Sequence, residues 1–160
     1  GHFDGVATVV LRLINMAQSD VAVFGRKDYQ QLRVIEFMVR ELSLPIDIIP
    51  APIARDRDGL AFSSRNQYLD VEQRAIAPEL RRTLLAMREG WTAGEALSDI
   101  ERTAQERLTT AGFVVDYAQL RRRADLHRPE TGEREGLVIL ATARLGRTRL
   151  LDNLELDALG

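Results

Sequence analysis

Between residues 6 and 18 apolar side chains recur at Val6, Val9, Val10, Leu13 and Met16, the spacing of one helical face. Asp4 is placed to cap that helix. Ser19 and Asp20 break the pattern, and residues 21–24, VAVF, form an all-apolar run that predicts a strand covered on both faces. Gly25 ends it. Asp28 is then positioned to cap a second helix reaching about Leu42, with Leu32, Ile35, Phe37, Met38 and Val39 as its apolar set. Pro45 follows, and residues 46–49, IDII, predict another strand closed by Pro50 and Pro52. Helix, buried strand, helix, strand in this order predicts a parallel sheet with a crossover helix, part of a doubly wound α/β unit. Ligands of such sheets bind beyond the carboxyl ends of the strands, so the loops after Gly25 and after Pro50 are expected to face one crevice.

Residues 51–66, APIARDRDGLAFSSRN, form a long charged loop of a length that is usually functional. Beyond Asp70 the composition shifts to Glu, Arg, Ala and Leu. Residues 71–87, with Ile76, Leu80, Leu84 and Met87 recurring, predict helix, with Pro78 near a helix start after a break. Gly90 and Gly94 bracket a turn, Trp91 beside it reads as packing, and residues 94–110 predict a second helix on Leu97, Ile100, Ala104 and Leu108, ended by Gly112. Residues 113–120, 137–143 and 149–154 read as strands around a charged, turn-rich segment at 121–136. The expected organisation is a partial doubly wound, Rossmann-like sheet over residues 1–68 and a small α+β domain over 69–160, with the boundary near Leu69.

Charge and composition narrow the chemistry. With 22 basic and 24 acidic residues the net charge is -2, so no global field recruits nucleic acid or an anionic membrane. The absence of cysteine removes disulfides, thiolate metal sites and thiol nucleophiles, and a reducing cytoplasm is the simplest compartment. His2 and His127 are too few and too far apart for a histidine-based metal site, and no apolar run has membrane-spanning length. Arg121, Arg122 and Arg123 make a local basic cluster, better read as a solvated strand end than as a nucleic-acid contact because no aromatic interleaving accompanies it. Lys27 is the single lysine, arginine serving everywhere else a cation is used. A compact ammonium reaches between two anionic groups as a planar guanidinium cannot, which makes GRKDYQQ at 25–31 a candidate anion site, although a lone lysine can also persist by chance. Ser63, Ser64 and Arg65 offer hydroxyls and a guanidinium to phosphate or carboxylate oxygens, or else simply cap the next helix.

GHFDGVATVV from Gly1, VAVFGRKDYQQL from Val21, DGLAFSSRNQYL from Asp58, VDYAQL from Val115 and ILATARLGRTRLLDN from Ile139 together resemble the pantoate-beta-alanine ligases, also called pantothenate synthetases, of the nucleotidyltransferase superfamily. The resemblance covers essentially the whole chain. It implies adenylation of pantoate by ATP, with magnesium accompanying the nucleotide, and then attack by the amine of beta-alanine to give pantothenate and AMP. It implies that Gly25 and Asp28 contact the nucleotide, that Lys27 bridges pantoate and phosphate, and that Gln31 hydrogen-bonds pantoate. Ala54 and Phe62 match positions lining the adenine pocket, and Ser63, Ser64 and Arg65 match a phosphate-binding segment. A homodimer or other self-association is expected.

Arg26 departs from the family's pattern, where glutamate is expected, and Phe62 stands in place of methionine. The family's histidine-rich phosphate motif is not among these residues, and His2 belongs to the separate GHF segment. The chain is therefore expected to be the carboxy-terminal part of such an enzyme and to be inactive alone. A non-catalytic nucleotide- or partner-binding module, or a related nucleotidyltransferase with another acceptor, also accommodates the residues.

Overall fold

A computed structural model describes residues 1–130 and 132–156. The chain is α/β and divides into two compact units, Gly1–Ile53 and Ala54–Gly160. The division falls after Ile53 rather than near Leu69, because the loop expected to close the first unit is tied into the second. Arg55 makes two hydrogen bonds to Asp152, at 2.7 and 2.8 Å, and Arg74 reaches back to Asp56 and Asp58 at 3.0 and 2.6 Å.

In the first unit helix α1, His2–Ala17, is followed by β1, Val21–Gly25, α2, Tyr29–Glu41, and β2, Asp47–Ala51. The strands pair in parallel with Val21 opposite Asp47 and Gly25 opposite Ala51, as the order of elements predicted. Several details differ. Asp4 lies inside the first turn of α1 instead of before it. Pro50 sits within β2, opposite Phe24, where a two-stranded sheet leaves one edge that asks for no amide donor. The run at Val21 is not covered on both faces: its side chains alternate, leaving Val21 and Val23 exposed, because one helix and one neighbouring strand cannot bury both sides. In α2 the buried stripe is Tyr29, Leu32, Ile35 and Met38, and Phe37 falls off it into solvent.

The second unit opens with the loop at 54–63, pinned by an antiparallel bridge between Arg55 and Ala61, and continues through a 3-10 helix, Ser64–Tyr68. Helices α3, Val71–Ile76, and α4, Glu79–Ala93, are separated by Ala77 and Pro78, the break expected at the proline. Asp70 caps α3, accepting from the Gln73 amide at 2.8 Å, while the Gln73 side chain accepts from the Asp70 amide. Gly90 is inside α4 and does not begin a turn. A Cβ there would stand 3.0 Å from the Glu95 carboxylate and 3.3 Å from Ile100, so the glycine permits close approach of the next segment. Gly94, at φ 83, ends the helix.

Helix α5, Leu97–Thr110, precedes a three-stranded antiparallel sheet of β3, Val114–Arg122, β4, Leu137–Leu145, and β5, Thr148–Leu156, in that order. The core runs from Leu60 and Ala77 through Leu80, Leu84, Ile100 and Leu108 to Leu120, Leu137 and Ile139. As the central strand, β4 is buried at every position but Arg144, which is why its sequence is apolar except at Thr142 and Arg144. Trp91 is buried as expected, with the Arg134 guanidinium 4.5 Å above its ring.

Candidate functional site

The proposed site residues fall into two groups, one in each unit. In the first, Gly25 ends β1, and a three-residue turn carries Arg26, Lys27 and Asp28 to the amino end of α2, with Gln31 in its first turn. The turn is held to the sheet by the Arg26 amide, which donates to the Ala51 carbonyl at 2.9 Å. Lys27 and Gln31 are half-buried, and Gly25 and Asp28 are exposed. Asp28 occupies the helix-cap position, yet its side chain makes no capping hydrogen bond. Its carboxylate is left to other partners. Nothing lies within 4 Å of where a Gly25 Cβ would be, and its backbone is not left-handed. The amino end of α2 lies directly after this turn, where the positive pole of the helix dipole is felt most strongly.

In the second group the Phe62 amide donates to the Ala54 carbonyl at 2.9 Å, bringing two of the expected adenine-pocket positions together. Phe62 is 56% exposed, a large apolar ring with little of its surface covered. Ser63 caps the 3-10 helix, its Oγ accepting from the Arg65 amide at 3.2 Å, so the capping reading holds for Ser63. Ser64 and Arg65 lie on the exposed side of that helix. Asn66 donates from Nδ2 to the Ala61 carbonyl at 3.0 Å and fixes the start of the segment to the loop before it. Among the described residues no cluster of three carboxylates or histidines is disposed to hold a metal ion.

Sequence comparison decides what these pieces belong to. The family model for pantoate-beta-alanine ligase matches residues 1–155. The chain belongs to the pantoate-beta-alanine ligase family. A pantothenate synthetase of Stenotrophomonas maltophilia strain K279a is 61% identical over 155 residues, 97% of this chain and 55% of that protein. One from Chromobacterium violaceum is 51% identical over 156 residues, with 56% of its length covered. Among solved structures, pantothenate synthetase from Thermus thermophilus superposes with a TM-score of 0.90 at 44% identity, covering 97% of this chain and 56% of that one. The Francisella tularensis pantoate-beta-alanine ligase, solved with beta-gamma ATP and beta-alanine, superposes with a TM-score of 0.73 at 26% identity. The chain thus spans about half the length of the relatives it matches.

The basic cluster is accounted for by ion pairing. Arg121 reaches Glu101 at 3.4 Å, Arg122 binds Asp125, and Arg123 meets Glu155 at 3.2 Å. His127 is exposed, 3.6 Å from Asp125, and lies apart from both groups of site residues in sequence and contacts. Three residues that the sequence reading passed over, Tyr68, Arg147 and Arg149, line a cleft together with Arg65. Their signal was the glycine before Arg147, which marks a hairpin turn between two predicted strands, but nothing in the sequence says which loop that turn meets.

Proposed function

We propose that these 160 residues furnish the carboxy-terminal part of an ATP-dependent acid-amine ligase that condenses pantoate with beta-alanine to give pantothenate. What carries the reading is Lys27, a lone lysine half-buried at the carboxyl end of β1, beside the open face of Gly25. The family match and the Francisella relative, crystallised with beta-gamma ATP and beta-alanine, support the choice of substrates.

In the first step a pantoate carboxylate oxygen attacks the α-phosphorus of ATP and pyrophosphate leaves. In the second the beta-alanine amine attacks the acyl carbon of the adenylate, loses a proton, and expels AMP. Both steps gather negative charge on phosphate oxygens, and a fixed cation stabilises that charge more in the transition state than before it. Lys27 serves this role between carboxylate and phosphate, with Gln31 holding pantoate and Asp28 accepting from ribose hydroxyls. Ala54 and Phe62 shelter the adenine, and the segment of Ser63, Ser64 and Arg65 takes the phosphates. Magnesium accompanying the nucleotide would neutralise part of the phosphate charge, and among the described residues no cluster of three carboxylates or histidines would hold it apart from the phosphates. Alone, the 160-residue chain is inactive. The parent enzyme works in the cytoplasm as a homodimer or another self-association.

Pyrophosphate release from ATP, measured with pantoate and beta-alanine in a full-length protein containing this chain, is the test. Lys27→Ala is expected to lower turnover about 100-fold or more, on the scale of losing one oxyanion donor. Unchanged turnover in that variant overturns the reading, and equal turnover with unrelated amines replaces beta-alanine as the acceptor. Combining Lys27→Ala with Arg65→Ala reads whether the two cations act on one anion, since independent sites give losses that multiply.

A further inference from the structure

The second unit carries an open cleft of about 490 Å³ lined by Arg65, Tyr68, Arg147, Thr148 and Arg149. Three of the five lining side chains are guanidiniums and none is a carboxylate. Arg149 is held from outside the lining by Asp116, Nε to Oδ2 at 2.7 Å. Arg65 and Arg147, both exposed, have no hydrogen-bond or ion-pair partner for their guanidiniums among the described residues. Two unpaired cations at one cleft repel each other, and in a chain that pairs most of its arginines this arrangement points to an anionic guest.

The positions are fixed by the fold. Gly146 and Arg147 form the two-residue turn joining β4 to β5, with Leu145 paired to Thr148 across it. Gly146 takes φ 58 while Arg147 keeps an ordinary φ, the pattern of a type II′ hairpin turn. A Cβ on Gly146 would stand 2.5 Å from the Gln73 side-chain nitrogen. The turn therefore rests against the capping pair that opens α3, directly after the 3-10 helix bearing Arg65 and Tyr68. Both sides of the cleft are anchored to one short segment, so the arginines are presented at little entropic cost.

We infer that this cleft binds a polyphosphate, with Arg147 acting beside Arg65 as a second phosphate ligand and Arg149 a third cation at its edge. Multiply charged phosphate suits it better than a carboxylate, because several forked donors can each grip a different phosphoryl group. The inference rests on the proposed role of Arg65 in holding the nucleotide's phosphates and extends that role to a hairpin of the second unit. Arg147 then helps retain the triphosphate and its pyrophosphate product.

Titration calorimetry of the 160-residue chain with inorganic pyrophosphate, ATP and AMP tests it, with circular dichroism confirming that each variant is folded. Arg147→Ala is expected to weaken pyrophosphate and ATP binding about tenfold and leave AMP unaffected, while Arg88→Ala, removing an exposed cation from α4, leaves all three unchanged. Pyrophosphate binding that survives Arg147→Ala, or falls equally with Arg88→Ala, overturns the inference. So does an equal loss for AMP. The result is separable from the ligase reading: Lys27→Ala decides that one by turnover, and pyrophosphate affinity in the second unit does not depend on it.

Discussion

Asp152 is a carboxylate with 2% of its side chain exposed, placed on a strand between Leu151 and Asn153 and opposite Ala141. Such a charge persists only when paired and hydrogen-bonded. Arg55 supplies two parallel bonds, and the Asn153 amide donates a third at 2.8 Å. Arg55→Ala leaves the charge buried without its cation and is expected to cost about 3 kcal/mol, read as a lower midpoint of urea unfolding with an unchanged slope. Arg81 shows the opposite case: burial lowers its pKa, helped by the nearby Arg55 charge, and one of its terminal nitrogens is buried without a partner. At this scale the sequence announced Lys27, because rarity is visible in a string of letters. It did not announce the Arg55–Asp152 pair, since residues 97 apart become neighbours only when the chain folds.

Elements add constraints that no single residue shows. The loop at 54–63 is held by Arg74 on α3, whose guanidinium spans Asp56 and Asp58. The hydrogen bond from Arg74 holds the Asp58 carboxyl below its ordinary pKa. A carboxyl with a lowered folded pKa contributes stability that is complete above its unfolded pKa, about 3.9, and is lost as pH falls through the folded value. Proton-linked carbon shifts of Asp58 should therefore titrate below the ordinary aspartate range, and Arg74→Ala should return them to it. The β4–β5 turn makes a second prediction. Gly146→Ala would force a side chain into the left-handed region and against Gln73, with an expected cost of about 1–2 kcal/mol. Differential scanning calorimetry reads this as a lower Tm. Helix and strand types were legible here from spacing alone, as with α5 and its buried Ile100, Ala104 and Leu108. The length of α4 was not, because Gly90 reads as a breaker until Glu95 and Ile100 are seen to need the room.

For the whole molecule, the two units differ in how far they cover their own apolar surface. The second closes a core around β4. The first leaves Val9, Leu13, Met16, Val21, Val23 and Ile49 exposed, apolar side chains available for association. The isolated 160-residue chain is expected to self-associate as its concentration rises in sedimentation velocity, and Leu13→Gln with Val23→Thr should reduce that association. A chain that remains monomeric throughout would contradict this. The expected division near Leu69 followed composition, which changes where the Glu- and Arg-rich helices begin. The observed division after Ile53 follows contacts, and the loop before those helices is claimed by Asp152 and Arg74.

The sequence by itself determined the order and type of the main elements and the parallel pairing that a crossover helix imposes, because periodicity and turn chemistry are local properties. Tertiary structure alone decided which unit holds the serine-arginine segment, that Ser63 is spent on capping, and that the β4–β5 turn shares a cleft with Arg65. Those outcomes depend on contacts between residues distant along the chain, and no local pattern encodes them.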